Sequence, residues 1–127
     1  MKLRLAACAV ALALPASAAA IPFRASFSAP THRPKVNAKW YYTVRVANLR
    51  GRPIRATITA QLVDPLGTVH PVDYGTTTKP ITNRPFRGVF RDYAQYPPES
   101  RGFRLPFRVI VKALGQKRVL TYWVQPR

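Results

Sequence analysis

From Trp40 onward the chain alternates. Trp40, Tyr42, Val44 and Val46 stand against Tyr41, Thr43, Arg45 and Ala47, a period of two that puts one set of side chains on each face of an extended strand. Wound into a helix, the same apolar set would be spread around the whole circumference, so the pattern excludes an amphipathic helix wherever it holds. It returns in Ile54, Ala56, Ile58, Ala60 and Leu62 against Arg55, Thr57, Thr59 and Gln61. It returns again in Leu105, Phe107, Val109, Val111 and Ala113 against Arg104, Pro106, Arg108, Ile110 and Lys112, and a last time in Leu120, Tyr122 and Val124 against Val119, Thr121 and Trp123.

What separates these runs is turn chemistry. Asn48 to Pro53 interrupts with Gly51 and Pro53, and Leu114 to Lys117 turns through Gly115. In Asp64-Pro65-Leu66-Gly67 the proline fixes one backbone angle of a tight turn and the glycine accepts a positive φ. Val69 to Tyr74 reads as a short strand limited by Pro71, and Phe23 to Ser28 as a first strand. The stretch from Gly75 to Gly102 carries Pro80, Pro85, Pro97 and Pro98, so no long regular element fits there. Within it, Phe86 to Tyr93 suits either a strand or a helical turn. About seven short strands at close spacing, with no 3.6-residue period between them, predict an all-β antiparallel sandwich rather than a βαβ layout.

A resemblance adds to this. Phe107-Arg108-Val109-Ile110-Val111-Lys112-Ala113 resembles the aromatic-x-Val-x-Val-x-Ala strand near the end of fibronectin type III and other immunoglobulin-like domains, and Trp40 in an early strand resembles their core tryptophan. It covers two strands, lacks the cysteine pair of true immunoglobulin domains, and implies a single antiparallel immunoglobulin-like β-sandwich. Domains of that kind serve mostly as adhesion, spacer or inhibitor modules, and the resemblance carries over no binding residues.

The N-terminus predicts export. Lys2 and Arg4 precede an apolar run from Leu5 to Leu14, Pro15 stops it, and Ala16-Ser17-Ala18 or Ala18-Ala19-Ala20 offers a cleavage site; this is the order of a secretion signal. The run is shorter than the roughly 20 apolar residues of a spanning helix, so no transmembrane anchor is expected after cleavage. Leu5-Ala6-Ala7-Cys8 has the residue types of a lipobox, but cleavage there would strand Ala9 to Ala20 on the mature chain. Residues 1–20 are therefore read as a cleaved signal helix and residues 21–127 as one domain, placed outside the cytoplasm of a bacterial cell. Cys8 leaves with the signal, so the domain must stand on its apolar core without disulfides.

Charge then bounds the partners. Lys and Arg number 21 against four acids, a net charge of +17, and removing Lys2 and Arg4 changes this little. Outside a cell, such a charge points to anionic company: an envelope polymer, a lipid surface, or another secreted protein. A genome rich in G and C also writes Arg over Lys and frequent Ala and Pro, though it does not account for the scarcity of acids. Specific nucleic-acid recognition is not expected, since no nucleic-acid motif is present.

Catalysis has little to build on. The acids are Asp64, Asp73, Asp92 and Glu99, with Asp64 already committed to a turn. His32 and His70 read as exposed loop residues, and neither a G-x-S-x-G elbow nor H-E-x-x-H occurs. The expectation is a non-catalytic module without cofactor or metal. Two basic surfaces are candidates for its work. In Arg84 to Arg104, Arg84, Arg87, Arg91, Arg101 and Arg104 interleave with Phe86, Phe90, Tyr93, Tyr96 and Phe103; guanidinium forks and stacking planes suit anions and sugars, while a crossover tucking aromatics over the core explains the same residues. There Asp92 and Glu99 are expected to pair with neighbouring arginines. Strand parity gives the second surface: Arg104, Arg108 and Lys112 share an outward face, about 7 Å apart in succession, and an immunoglobulin-like order would bring Arg55 beside them.

Overall fold

The computed structural model describes residues 20–75, 77 and 79–127; apart from Ala20, the predicted export signal lies outside them. Eight strands form: β1 (Phe23–Ser28), β2 (Trp40–Asn48), β3 (Arg55–Val63), β4 (Val69–Pro71), β5 (Arg84–Arg87), β6 (Val89–Ala94), β7 (Leu105–Ala113) and β8 (Gln116–Val124), with one 3-10 turn at Pro98–Ser100. No helix among the described residues is long and apolar enough to cross a membrane.

The strands make two antiparallel sheets. One has the order β1-β2-β6; the other runs β4-β3-β7-β8, with β5 pairing the first half of β3. Alternation decides which side chains meet between them. Tyr42, Val44 and Val46 of β2, Phe23 of β1 and Phe90 of β6 are buried against Ile58 and Ala60 of β3, Phe107, Val109 and Val111 of β7 and Val124 of β8. Trp40 sits at the centre of an aromatic cluster, edge-on to Phe107 at 5.4 Å and to Tyr96 at 5.7 Å. Its indole N–H donates to the Thr31 carbonyl at 2.8 Å, so the buried donor is satisfied.

The middle of the chain resolves into two strands where one strand or a helical turn was expected. Gly88 makes the break: its N–H donates to the Ile54 carbonyl and its own carbonyl accepts from Val46 N–H, so the chain leaves one sheet and joins the other at this residue. Its φ is +74°, and a Cβ there would stand 2.7 Å from the Cβ of Pro53. Only glycine meets both conditions without displacement.

Residues 32–36 run parallel to the C-terminus, with Gln125 N–H donating to the His32 carbonyl, Arg127 N–H to that of Pro34, and Val36 N–H to that of Arg127. This strap covers the far end of the β8 edge, which would otherwise be unpaired backbone.

Candidate anion-binding site

The outward face of the larger sheet carries cations in register. Arg55 of β3 stands directly opposite Arg87 of β5, and Lys112 of β7 directly opposite Lys117 of β8. Thr57 pairs with Lys112, so Arg55, two residues earlier on the same face, is diagonal to Lys112. Four exposed cations thus gather at one end of the sheet. Directly opposed like charges on neighbouring strands destabilise a sheet, and two such pairs sit side by side here. No outward position of β3, β5, β7 or β8 carries a carboxylate. Shallow dishes flank the group, one lined by Thr57, Lys112, Gly115 and Lys117, the other by Arg55, Pro85 and Arg87.

Of these four, strand parity places Arg55 and Lys112; Arg87 is singled out only within the Arg84 to Arg104 run, and Lys117 is missed because Leu114 to Lys117 reads as the turn. The hairpin turn is only Leu114-Gly115, with φ of 50° and 73°, and positive φ at both centres marks a two-residue type I′ connection that starts β8 at Gln116. Gly115, at the second position after the alternating run ends at Ala113, was the available signal.

Arg108 lies further along the same face, its Nε and Nη2 donating to Gln61 Oε1 at 3.1 and 2.9 Å. This bond holds the guanidinium across the β3–β7 pair and leaves its other donors free.

Arg104 belongs to a different device. Its guanidinium lies 4.0 Å over the Trp123 ring, and the His32 ring stacks on Trp123 at 4.0 Å and on Tyr122 at 4.0 Å. Both groups crowd the indole, the imidazole stacked on it and the guanidinium over the ring, so Trp123 is already engaged within the protein. His32 also bonds through Nδ1 to the Trp123 carbonyl at 2.7 Å. The histidine read as an exposed loop residue is in fact a half-buried latch between the strap and the edge strand; its aromatic partners lie 91 residues away in sequence, beyond any local pattern.

The arginine and aromatic run from Arg84 to Arg104 is not one site. Phe90 and Tyr96 are buried in the core and Phe86 packs edge-on to Phe90. Arg84 lies against Tyr74, its Nε donating to the phenol oxygen and its guanidinium 4.7 Å from the ring. Arg91 is on the opposite sheet, where its Nε donates to Thr43 Oγ1 at 3.3 Å, and Arg101 is exposed after the 3-10 turn. The expected pairing of Asp92 and Glu99 with arginines does not form: among the described residues the carboxylate that meets a basic side chain is Asp64, hydrogen-bonded to His70 at 2.8 Å, and Asp92 accepts instead from Gly75 N–H at 3.1 Å. Arg84 starts opposite the buried Ile58 and leans onto Tyr74, Arg91 faces outward beside Thr43, and Asp92 is drawn toward the loop at Gly75.

All four carboxylates follow one edge of the molecule. Asp73 lines a cleft with Tyr74, Gly75, Tyr93 and Tyr96, and Asp92 reaches Gly75 from beside it. Asp64 and Glu99 line a neighbouring apolar cleft of about 500 Å³ with Leu66 and Phe103; both clefts share Leu62 and Pro97. The Asp64 carboxyl is held below the usual carboxylate range, first by its bond to His70 and then by the Thr68 N–H. The hydroxyls of Tyr42 and Tyr96 are buried with no partner among the described residues, and burial pushes both well above the usual phenol range. Among the described residues no three His, Cys, Asp or Glu side chains come together as a metal site.

No family model matches the chain, and no curated protein does. Among solved structures it is similar to the crystal structure of a DUF4466 family protein from Parabacteroides merdae, at 18% identity and a TM-score of 0.43; the match covers 83% of this chain and 44% of that one.

Proposed function

We propose that the chain is an exported immunoglobulin-like module that binds a linear anionic polymer of the cell envelope on the outer face of its larger sheet. The observation that carries this reading is the pair of opposed like-charge contacts, Arg55–Arg87 and Lys112–Lys117. They cost stability in the free domain, and a polyanion laid across them removes that cost while gaining charge-assisted hydrogen bonds. The strand order supports the immunoglobulin-like part, since β1-β2-β6 against β3-β7-β8 matches an A-B-E sheet facing C-F-G. The leader at residues 1–20 supports the place of action.

The test is salt dependence. Affinity for inorganic polyphosphate should fall steeply as ionic strength rises, with a log–log slope that loses about one unit for each cation neutralised at Arg55, Arg87, Arg108, Lys112 or Lys117. Binding that ignores salt, or that keeps its slope in an Arg55→Gln/Lys112→Gln variant, would remove this reading. A lipid surface would show instead as binding to anionic vesicles in preference to soluble polymer.

The apolar cleft favours a second reading, docking of another secreted protein. Leu66 is 92% and Phe103 50% exposed there, and exposed apolar side chains grouped around a cleft are commonly interfaces. Capture of one defined partner in high salt, lost in Leu66→Ser/Phe103→Ser, would support it over the first.

A further inference from the structure

The second sheet has its own cationic face. On its outer side Ser26 pairs with Arg45 and Arg24 with Ala47, while Arg45 pairs with Val89 and Thr43 with Arg91. Arg24, Arg45 and Arg91 are therefore diagonal neighbours in a line across three strands, about 7–8 Å apart in succession, and all three are exposed. Ser26 stands directly opposite Arg45 and Thr43 opposite Arg91, and at one end Lys39 stands 4.9 Å over Tyr93, which packs on Tyr41 at 5.4 Å. No outward position of β1, β2 or β6 carries a carboxylate; the four acids lie along one edge and interrupt neither face.

From this we infer that the domain is a cross-bridge, holding one anionic strand on each sheet at the same time. The inference rests on the polyanion reading above and names what that binding accomplishes: joining two polymer chains rather than decorating one. Distance makes it physically sound. Packed sheets lie about 10 Å apart, and the side chains on both outer faces carry the two cation arrays to a separation of roughly 20 Å. That exceeds two Debye lengths at physiological ionic strength, about 8 Å each, so strands on opposite faces scarcely repel one another. A one-sided binder would be expected to keep its acids on the face away from the polymer, and here that face is arginine-lined.

The experiment mixes two batches of long inorganic polyphosphate, one labelled with a donor dye and one with an acceptor, with polymer in excess over protein, and reads energy transfer together with protein bound. The wild type should bind and bring donor and acceptor together. Arg24→Gln/Arg45→Gln/Arg91→Gln on the small sheet and Arg55→Gln/Arg108→Gln/Lys112→Gln on the large one should each still bind at low salt but lose the transfer. Arg45→Glu, a single change midway between Arg24 and Arg91, should do the same if the small-sheet triple variant folds poorly. Arg50→Gln/Arg52→Gln/Arg101→Gln removes equal charge from turns outside both faces and should keep bridging. A wild type that binds without energy transfer, or single-face variants that bridge as well as the wild type, would overturn the cross-bridge while leaving simple binding intact. A wild type that binds no polyphosphate would sink the underlying reading.

Discussion

Removing one member of each opposed pair, in an Arg87→Gln/Lys117→Gln variant, should make the domain more stable and a poorer binder. Arg87 faces Arg55 and Lys117 faces Lys112 with no carboxylate on that face to compensate. Two unit charges about 6 Å apart in water repel by about 0.7 kcal/mol, falling to about 0.3 kcal/mol at physiological ionic strength and about 0.1 kcal/mol at 1 M salt. Relief of both pairs is therefore worth about 1 kcal/mol in 10 mM salt, which for a domain of this size raises Tm by roughly 5 °C. Thermal unfolding of both proteins at 10 mM and 1 M salt, followed by circular dichroism, gives the comparison, and polyphosphate affinity is measured on the same samples. The expected result is a Tm gain that shrinks below about 1 °C in high salt, together with weaker binding. A variant less stable than the wild type in low salt, or equally stable with unchanged affinity, would show that the opposed cations neither strain the sheet nor hold an anion.

Three further outcomes follow from the core and the turns. Tyr42 and Tyr96 stay neutral in the folded domain while the unfolded chain ionises them near pH 10; because the folded value is the higher one, their contribution is complete below pH 10 and is lost as pH rises. Each costs about 1.4 kcal/mol of stability by pH 11, so urea denaturation followed by tryptophan fluorescence should find Tyr42→Phe/Tyr96→Phe losing about 3 kcal/mol less than the wild type between pH 9 and 11, and identical losses would contradict the burial of the two hydroxyls. His32→Ala removes two ring stacks and a bond to the Trp123 carbonyl, a loss of about 2–4 kcal/mol; a change under about 0.5 kcal/mol in urea denaturation would mean the strap is not latched there. Leu114 holds a φ of 50° that asparagine tolerates better, so Leu114→Asn should stabilise the hairpin by about 0.5–1 kcal/mol, and a lower Tm would refute the type I′ geometry.

The strands were legible wherever one face is buried and the other wet. Phe23–Ser28 forms as expected, and Trp40, Phe107 and Val124 point inward as their parity requires. β5 and β6 were not legible because the corner between them is a property of Gly88 meeting Pro53 across the two sheets, and local sequence does not register that approach. The candidate site was half legible for a related reason. Parity placed Arg55, Arg108 and Lys112 outward, but the opposition of Arg55 to Arg87 depends on register between strands about 30 residues apart, set by the whole core. Arg84, Arg91, Arg101 and Arg104 shared a stretch of sequence without sharing a surface, since the chain changes sheets within it.

The most direct measurement is a map of where polyphosphate touches the domain, read as backbone amide shift changes during an NMR titration. Shifts are expected at Arg55, Thr57, Arg87, Lys112 and Lys117, with a second group at Arg24, Arg45 and Arg91. Shifts confined to Leu66, Phe103 and their cleft, or none on either sheet, would contradict it.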